Sequence, residues 1–376
     1  MGLINFVHRQ KEMLRIFRMG KETALEPTGV DIRFDSFDSA FNFQNVLAFS
    51  RSALEDGAIG ENQRFIYPIF VPRKGRMHRA IVLLHGLNER SWDKYLCWAE
   101  YLASQTGRPV ILFPIAYHMN RSPAFWSNPR SMSLLVRHRQ ERVGTDPSLC
   151  FANVALSERL FEDPARFYTS GRQTLDDLQV LATKLKQGEH PLFPKGTTVD
   201  FFAYSIGAFL AEITLMANPD NLFDASKLFV FCGGSIFESM YGESRFIMDK
   251  PAYNRLFQFF INEWRGLERS PEGKDATKIA FDAMIVPEAD RDRREGFFKS
   301  LGNRIAGIAL KKDTVMPFEG VEACMGSHTA GTKFQLLDFP YEYTHESPFP
   351  MNAHIDPEVL NRSFDRVFDS AARFLA

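Results

Sequence analysis

The sequence predicts an α/β fold, with a mostly parallel central sheet flanked by helices and interrupted by helical cap or lid insertions. Three observations predict it. The run Ala80–Leu84 is continuously apolar, as a strand buried on both faces must be. PVILFPIAY, Pro109–Tyr117, repeats that pattern after a helical stretch from Trp92 to Ser104, so strand, helix and strand make a βαβ unit. TTVDFFAYS then runs directly into IGAFLAEITLMAN, a third strand that turns at once into a helix.

The remaining elements follow in order. Apolar Ile4, Phe6, Val7, Leu14 and Phe17 recur at helical spacing, so residues 1–30 read as an N-terminal helical extension whose amphipathic helix packs on the body. Residues 31–376 form the main domain. FIYPIFVP, from about residue 64, is a strand, and the basic turn RKGRMHR leads into Ala80–Leu84. Residues 119–169 are polar and rich in Pro and Arg. They are too long for a plain connection and read as an insertion. A helix is expected from Thr174 to Lys186, and a strand in KLFVFCGG. Residues 236–300, with the charged stretch EADRDRREG, make a second insertion that suits a cap. RIAGIALKKD and KFQLLDFPYEYTH read as strands, and a helix from Pro357 closes the chain.

Composition narrows the function. The chain has 376 residues, of which 45% are hydrophobic, and a formal net charge of −1. Such balance argues against nucleic acid or an anionic membrane surface as partner, since both need a basic field. No apolar run reaches the roughly 20 residues needed to span a bilayer, and the N-terminus lacks the pattern of a signal peptide. Cys97, Cys150, Cys232 and Cys324 form no C-x-x-C pair; free thiols in a reducing, cytoplasmic setting are expected. The nine histidines show no metal-ligand spacing, and no Gly-rich phosphate loop is present. The 36 Phe residues suit either a core or an apolar pocket.

Four segments carry chemistry. In FFAYSIGAFLAEI, Ser205 sits between strand and helix in the frame Ala203-Tyr204-Ser205-Ile206-Gly207. A sharp turn there exposes the serine oxygen at the carboxyl end of the sheet, next to the free N–H groups and positive dipole end of the helix. Ala203 stands where the G-x-S-x-G pattern has its first glycine. A serine that merely caps the helix is the bland alternative. In LLHGLNERSW, the His85-Gly86 loop follows a buried strand. The Leu87 and Ile206 amides are the expected oxyanion donors, with His85 structural. In IAGIALKKDTVMPFEG, Asp313 ends a strand where an orienting acid belongs; Glu238 and Glu319 are rival acids. In FPYEYTHESPFP, His345 follows the last strand as the base, with His354 its rival.

The order Ser205, Asp313, His345, each after a strand, resembles that of the α/β-hydrolase superfamily from about residue 64 to the end. The resemblance implies a serine hydrolase with a Ser–Asp–His triad, a cap or lid, no required cofactor, and a small ester-type substrate; a carboxylesterase is the first expectation. A catalytically silent binding or scaffold protein on the same fold is the alternative. AYHMNRSPAFWSNP also lies past a strand end, so His118, Arg121 and Trp126 are candidate substrate-binding residues, Arg121 for a carboxylate.

Overall fold

The computed structural model describes residues 5–264 and 275–376. Ile4 and residues 265–274 of the expected cap lie outside them. In chain order the main elements are α1 (Phe6–Ile16), β1 (Thr23–Leu25), β2 (Val30–Asp38), β3 (Arg64–Pro72), β4 (Arg79–Leu84), α2 (Leu96–Thr106), β5 (Val110–Leu112), α3 (Pro129–Val143), α4 (Val154–Glu162) and α5 (Arg166–Gln187). They continue with β6 (Thr198–Tyr204), α6 (Ile206–Ala217), β7 (Leu228–Phe231), α7 (Lys250–Gln258), α8 (Ala276–Ala283), α9 (Arg291–Ser300), β8 (Ile305–Leu310), α10 (Phe318–Met325), β9 (Phe334–Leu337) and α11 (Pro357–Leu375).

The nine strands form one sheet in the order β1-β2-β3-β5-β4-β6-β7-β8-β9. Every pair from β5 to β9 is parallel. β1, β2 and β3 add an antiparallel edge. Strand order reverses at β4, which has β5 on one side and β6 on the other. With this topology and helices on both faces, the chain has the α/β-hydrolase fold.

Alternation assigns each strand residue to a layer. Ala80, Val82 and Leu84 of β4 join the core under α5 and α6. Ile81 and Leu83 join the other core, which holds α1, α2 and α11. This is why β4 and β6 lack a polar face: both sides are covered, and the apolar surface removed from water stabilises by roughly 25 cal/mol per Å². α1 docks on the second core. Phe6 stacks on Phe364 at 4.3 Å, Met13 is fully buried, and Arg9 makes a paired hydrogen bond to Glu100 at 2.6 and 2.8 Å.

Several elements differ in extent from the sequence reading. β5 ends at Leu112, because Pro114 follows and the chain leaves the sheet toward α5. β9 ends at Leu337; Phe339, Tyr341 and Tyr343 pack as an aromatic cluster instead of continuing the ladder. α5 begins at Arg166, a full two turns before Thr174. The region expected to be only a helical extension also contains β1, which pairs with β2.

Candidate active site

The strand β6 and helix α6 meet at Ser205, whose backbone has φ 57° and ψ −127°. A non-glycine residue in this region costs on the order of 1–3 kcal/mol and persists only where its surroundings fix it. Here they do. A Cβ on Gly207 would lie 2.7 Å from the backbone of Leu84 and His85, and one on Gly233 would lie 2.6 Å from Ala208 and 3.0 Å from the Ser205 carbonyl. Only glycine allows helix and strands to approach this closely. Ala203 is fully buried, paired between Leu84 and Val230; its single methyl fits the packing where the common pattern has a glycine.

Three side chains from three loops converge. Ser205 Oγ lies 2.7 Å from His345 Nε2, and His345 Nδ1 lies 2.8 Å from Asp313 Oδ2. Asp313 Oδ1 accepts from the amides of Val315 and Met316 at 2.9 and 2.8 Å. With Nδ1 donating to the carboxylate, Nε2 presents its lone pair to the serine hydroxyl. All three residues are 3–4% exposed. Among the described residues neither Glu238 nor Glu319 bonds to His345, and His354 lies exposed before α11.

Tyr204 and Cys232 support this cluster. The Tyr204 ring stacks under His345 at 5.6 Å, and its hydroxyl donates to the His345 carbonyl. Lys94 sits 4.9 Å from the centre of the same Tyr204 ring. Burial, reinforced by the Asp313 charge, pushes the Cys232 thiol up, so it stays protonated. Tyr204 stood in view inside the pentapeptide frame, but nothing in sequence tied it to a loop 141 residues away.

The His85-Gly86 loop completes the surroundings. His85 is fully buried; Nδ1 bonds to the Gly86 carbonyl at 2.8 Å and Nε2 accepts from the Ile115 amide at 2.9 Å. Burial and the neighbouring His118 push its pKa well below the usual range, so the ring stays neutral. The Gly86 amide donates to the Tyr95 hydroxyl at 3.0 Å. Among the described residues, no acceptor faces the amides of Leu87 and Ile206.

The family model described as "Family of unknown function (DUF6051)" matches residues 4–376. The chain belongs to DUF6051. No curated protein matches this DUF6051 chain. Among solved structures it is similar to a cold-adapted esterase from an Arctic intertidal metagenomic library, with 10% identity, TM-score 0.42, and 96% of this chain and 100% of that one covered. It is also similar to an esterase of Pyrobaculum calidifontis (12%, 0.46, 98% and 90%) and to carboxyl esterase 2 of the mycorrhizal fungus Tuber melanosporum (10%, 0.45, 98% and 96%). Likenesses this distant transfer no activity to the DUF6051 chain.

Two connected apolar cavities lie at the site, and one of them reaches Ser205. The smaller, about 450 Å³, is lined by Ser205 itself, by Val315 and Met316, and largely by the second insertion, including Phe237, Ile247 and Leu256. The larger, about 780 Å³, does not touch Ser205. It meets the smaller one at Leu87, Phe167 and Ile206, which line both, and runs between α4, α5, α6 and α8. Part of the phenylalanine content therefore lines cavities, although most of it lies in the two cores.

The three residues past β5 separate. Arg121 corrects the sequence expectation. It is fully buried, pairs with Asp177 at 2.8 Å, and donates to the carbonyls of Asn62 and Pro114. Its charge is already neutralised, so it anchors the loop and is not open to a substrate carboxylate. Trp126 stacks under Arg159 at 4.6 Å and lines a third cavity of about 370 Å³ with His118. His118 lines both this cavity and the larger apolar one.

Proposed function

We propose that this chain is a serine hydrolase that cleaves an ester, thioester or amide bond, a carboxylic ester first among them. The observation that carries the reading is the unbroken relay from Ser205 Oγ through His345 to Asp313, at 2.7 and 2.8 Å, on a turn whose backbone is held at φ 57°.

The chemistry follows from that geometry. Ser205 Oγ attacks the carbonyl carbon as its proton moves to His345 Nε2. The carbonyl oxygen, now negative, takes the two free amides of Leu87 and Ile206. Collapse breaks the bond to the leaving group, which receives the His345 proton and departs, leaving an acyl-serine. Water then gives a proton to His345 and adds to the acyl carbon. The second collapse breaks the Oγ–C bond, and the proton returns to Ser205. Asp313 holds the imidazole tautomer and stabilises the imidazolium. Both insertions act as the cap, since they wall the two cavities. We place the protein in the cytoplasm: all four cysteines are unbridged. Among the described residues no helix is long and apolar enough to cross a membrane.

A fluorophosphonate probe tests the reading. The purified protein should label, Ser205→Ala should not label at all, and His345→Ala should label far more slowly. A folded parent that does not label would remove the hydrolase reading and leave a hydrolase fold used for binding.

A further inference from the structure

The larger cavity is apolar but not featureless. His118 is 5% exposed and lines it. Its Nδ1 lies 2.9 Å from the Ala116 carbonyl. A carbonyl only accepts, so Nδ1 carries the hydrogen. Burial pushes the His118 pKa down to about 4, so the ring is neutral and Nε2 holds a lone pair. That nitrogen is buried with no partner among the described residues. Tyr117 lines the same two cavities, and its hydroxyl is likewise buried with no partner among the described residues. Buried polar atoms are almost always satisfied, and an acceptor beside a cavity with no partner among the described residues needs an explanation. A ligand hydroxyl supplies one: it donates to His118 Nε2, and its lone pairs accept from Tyr117.

The mechanism sets which half of the substrate enters this cavity. His345 must pass its proton to the leaving oxygen, so the leaving group lies on the side of His345 and Asp313. The smaller cavity is on that side, because Val315 and Met316 line it and their amides hold Asp313. The acyl group therefore points past Leu87 and Ile206 into the larger cavity. Phe167, Phe209 and Phe281 there face a hydrocarbon or aryl body.

We propose that the acyl half of the substrate is an apolar group bearing a hydroxyl, read by His118 Nε2 and the Tyr117 hydroxyl in the larger cavity. This rests on the hydrolase reading for its orientation. Carboxylate and phosphate groups do not suit the site: an anion has no hydrogen to give His118 Nε2, and the arginines that line the cavity, Arg159, Arg166 and Arg172, are already paired with Asp56, Glu162, Asp176 and Asp275. A site built around a buried acceptor discriminates strongly, because the substrate lacking the donor leaves that acceptor unpaired.

The experiment compares kcat/KM for two matched pairs of p-nitrophenyl esters. One pair is the phenylpropanoate and its para-hydroxy counterpart; the other is the octanoate and its ω-hydroxy counterpart. We expect the hydroxylated member of at least one pair to be favoured about tenfold or more, and the pair that shows it distinguishes a phenolic from an aliphatic acyl group. In His118→Phe that ratio should fall to near one. His118→Gln, which keeps an acceptor, should retain part of it, and Tyr117→Phe should lower it. A ratio near one in the parent for both pairs overturns the proposal, as does a ratio that His118→Phe leaves intact. Calorimetry of the matching free hydroxylated and plain acids against Ser205→Ala separates this from the hydrolase reading. Preferential binding that His118→Phe abolishes upholds the subsite even if no ester is cleaved; equal binding, or none, overturns it.

Discussion

At the scale of single residues, the relay makes a sharp demand on Asp313. In Asp313→Asn the amide can still accept from Val315 and Met316 through its oxygen, but its nitrogen then faces His345 Nδ1 and donates to it. That places the imidazole hydrogen on Nε2 and removes the lone pair from Ser205. We expect kcat to fall by about 10⁴ with little change in KM, measured on any ester the parent cleaves. Glu212 makes a different demand. It is fully buried in α6, and neither carboxylate oxygen has a partner among the described residues. Burial pushes its pKa well above the usual carboxylate range. A folded-state pKa above the unfolded one gives a contribution present below the unfolded pKa and lost as pH rises toward the folded one. Glu212→Gln removes that loss, so it should be more stable than the parent at neutral pH, by roughly 1–3 kcal/mol. The gain should vanish near pH 4, and urea midpoints across pH check it. Ser205, Asp313 and His345 were legible because each sits in a local frame, just past an apolar run or in the last loop. Tyr204, Cys232 and the locked state of Arg121 were not, since their partners are distant in the chain.

At the scale of elements, α1 is held by a buried charge pair as well as by its apolar face. Glu100 is fully buried in α2 and accepts from Nε and Nη2 of Arg9 as well as from the Thr28 hydroxyl, while Nη1 of Arg9 donates to Glu12. Arg9→Ala leaves that carboxylate unpaired, and a loss of about 3–5 kcal/mol is expected. Replacing the pair together, as Arg9→Met with Glu100→Leu, should cost far less, and denaturant melts of the single and double variants decide it. Legibility at this scale follows burial. β4, β6 and β7 are covered on both faces and read plainly as apolar runs. β2 is not: its burial alternates through Val30 and Ile32 and then turns mixed from Arg33. The short period-two signal in VDIRF was available but sits in a charged stretch. The first turns of α5 carry Thr169, Ser170 and Gly171, poor helix formers whose place is set by packing under the cap and by the Ser170 hydroxyl on the Ala116 carbonyl. The sequence pattern extends past the end of β9 because aromatic residues such as Phe339, Tyr341 and Tyr343 suit a strand and an aromatic cluster equally well.

At the scale of the whole molecule, the reversal of strand order at β4 decides where chemistry collects. The loops after β4 and β6 are brought side by side there, and those after β8 and β9 close over them. The same crowding buries two neutral histidines, His85 and His118, whose rings lie 5.4 Å apart. Each has its pKa lowered by burial. A depressed histidine contributes stability present above its unfolded pKa and lost as pH falls. The thermal midpoint should therefore drop between about pH 6.5 and pH 4, and His118→Phe should show a shallower acid limb than the parent. Fold class and site order were legible from sequence because the sheet is built of local runs; the cavities were not, because their walls come from segments far apart in the chain. The smaller cavity has a further bearing on how the reaction ends. On the proposed hydrolase reading, once the alcohol half has left that cavity the acyl-serine faces a greasy vestibule in which water is scarce and a short-chain alcohol dissolves well. Added butanol should then compete with water for the acyl group far beyond its molar share, and the ratio of transferred ester to free acid would read out how dry that vestibule is.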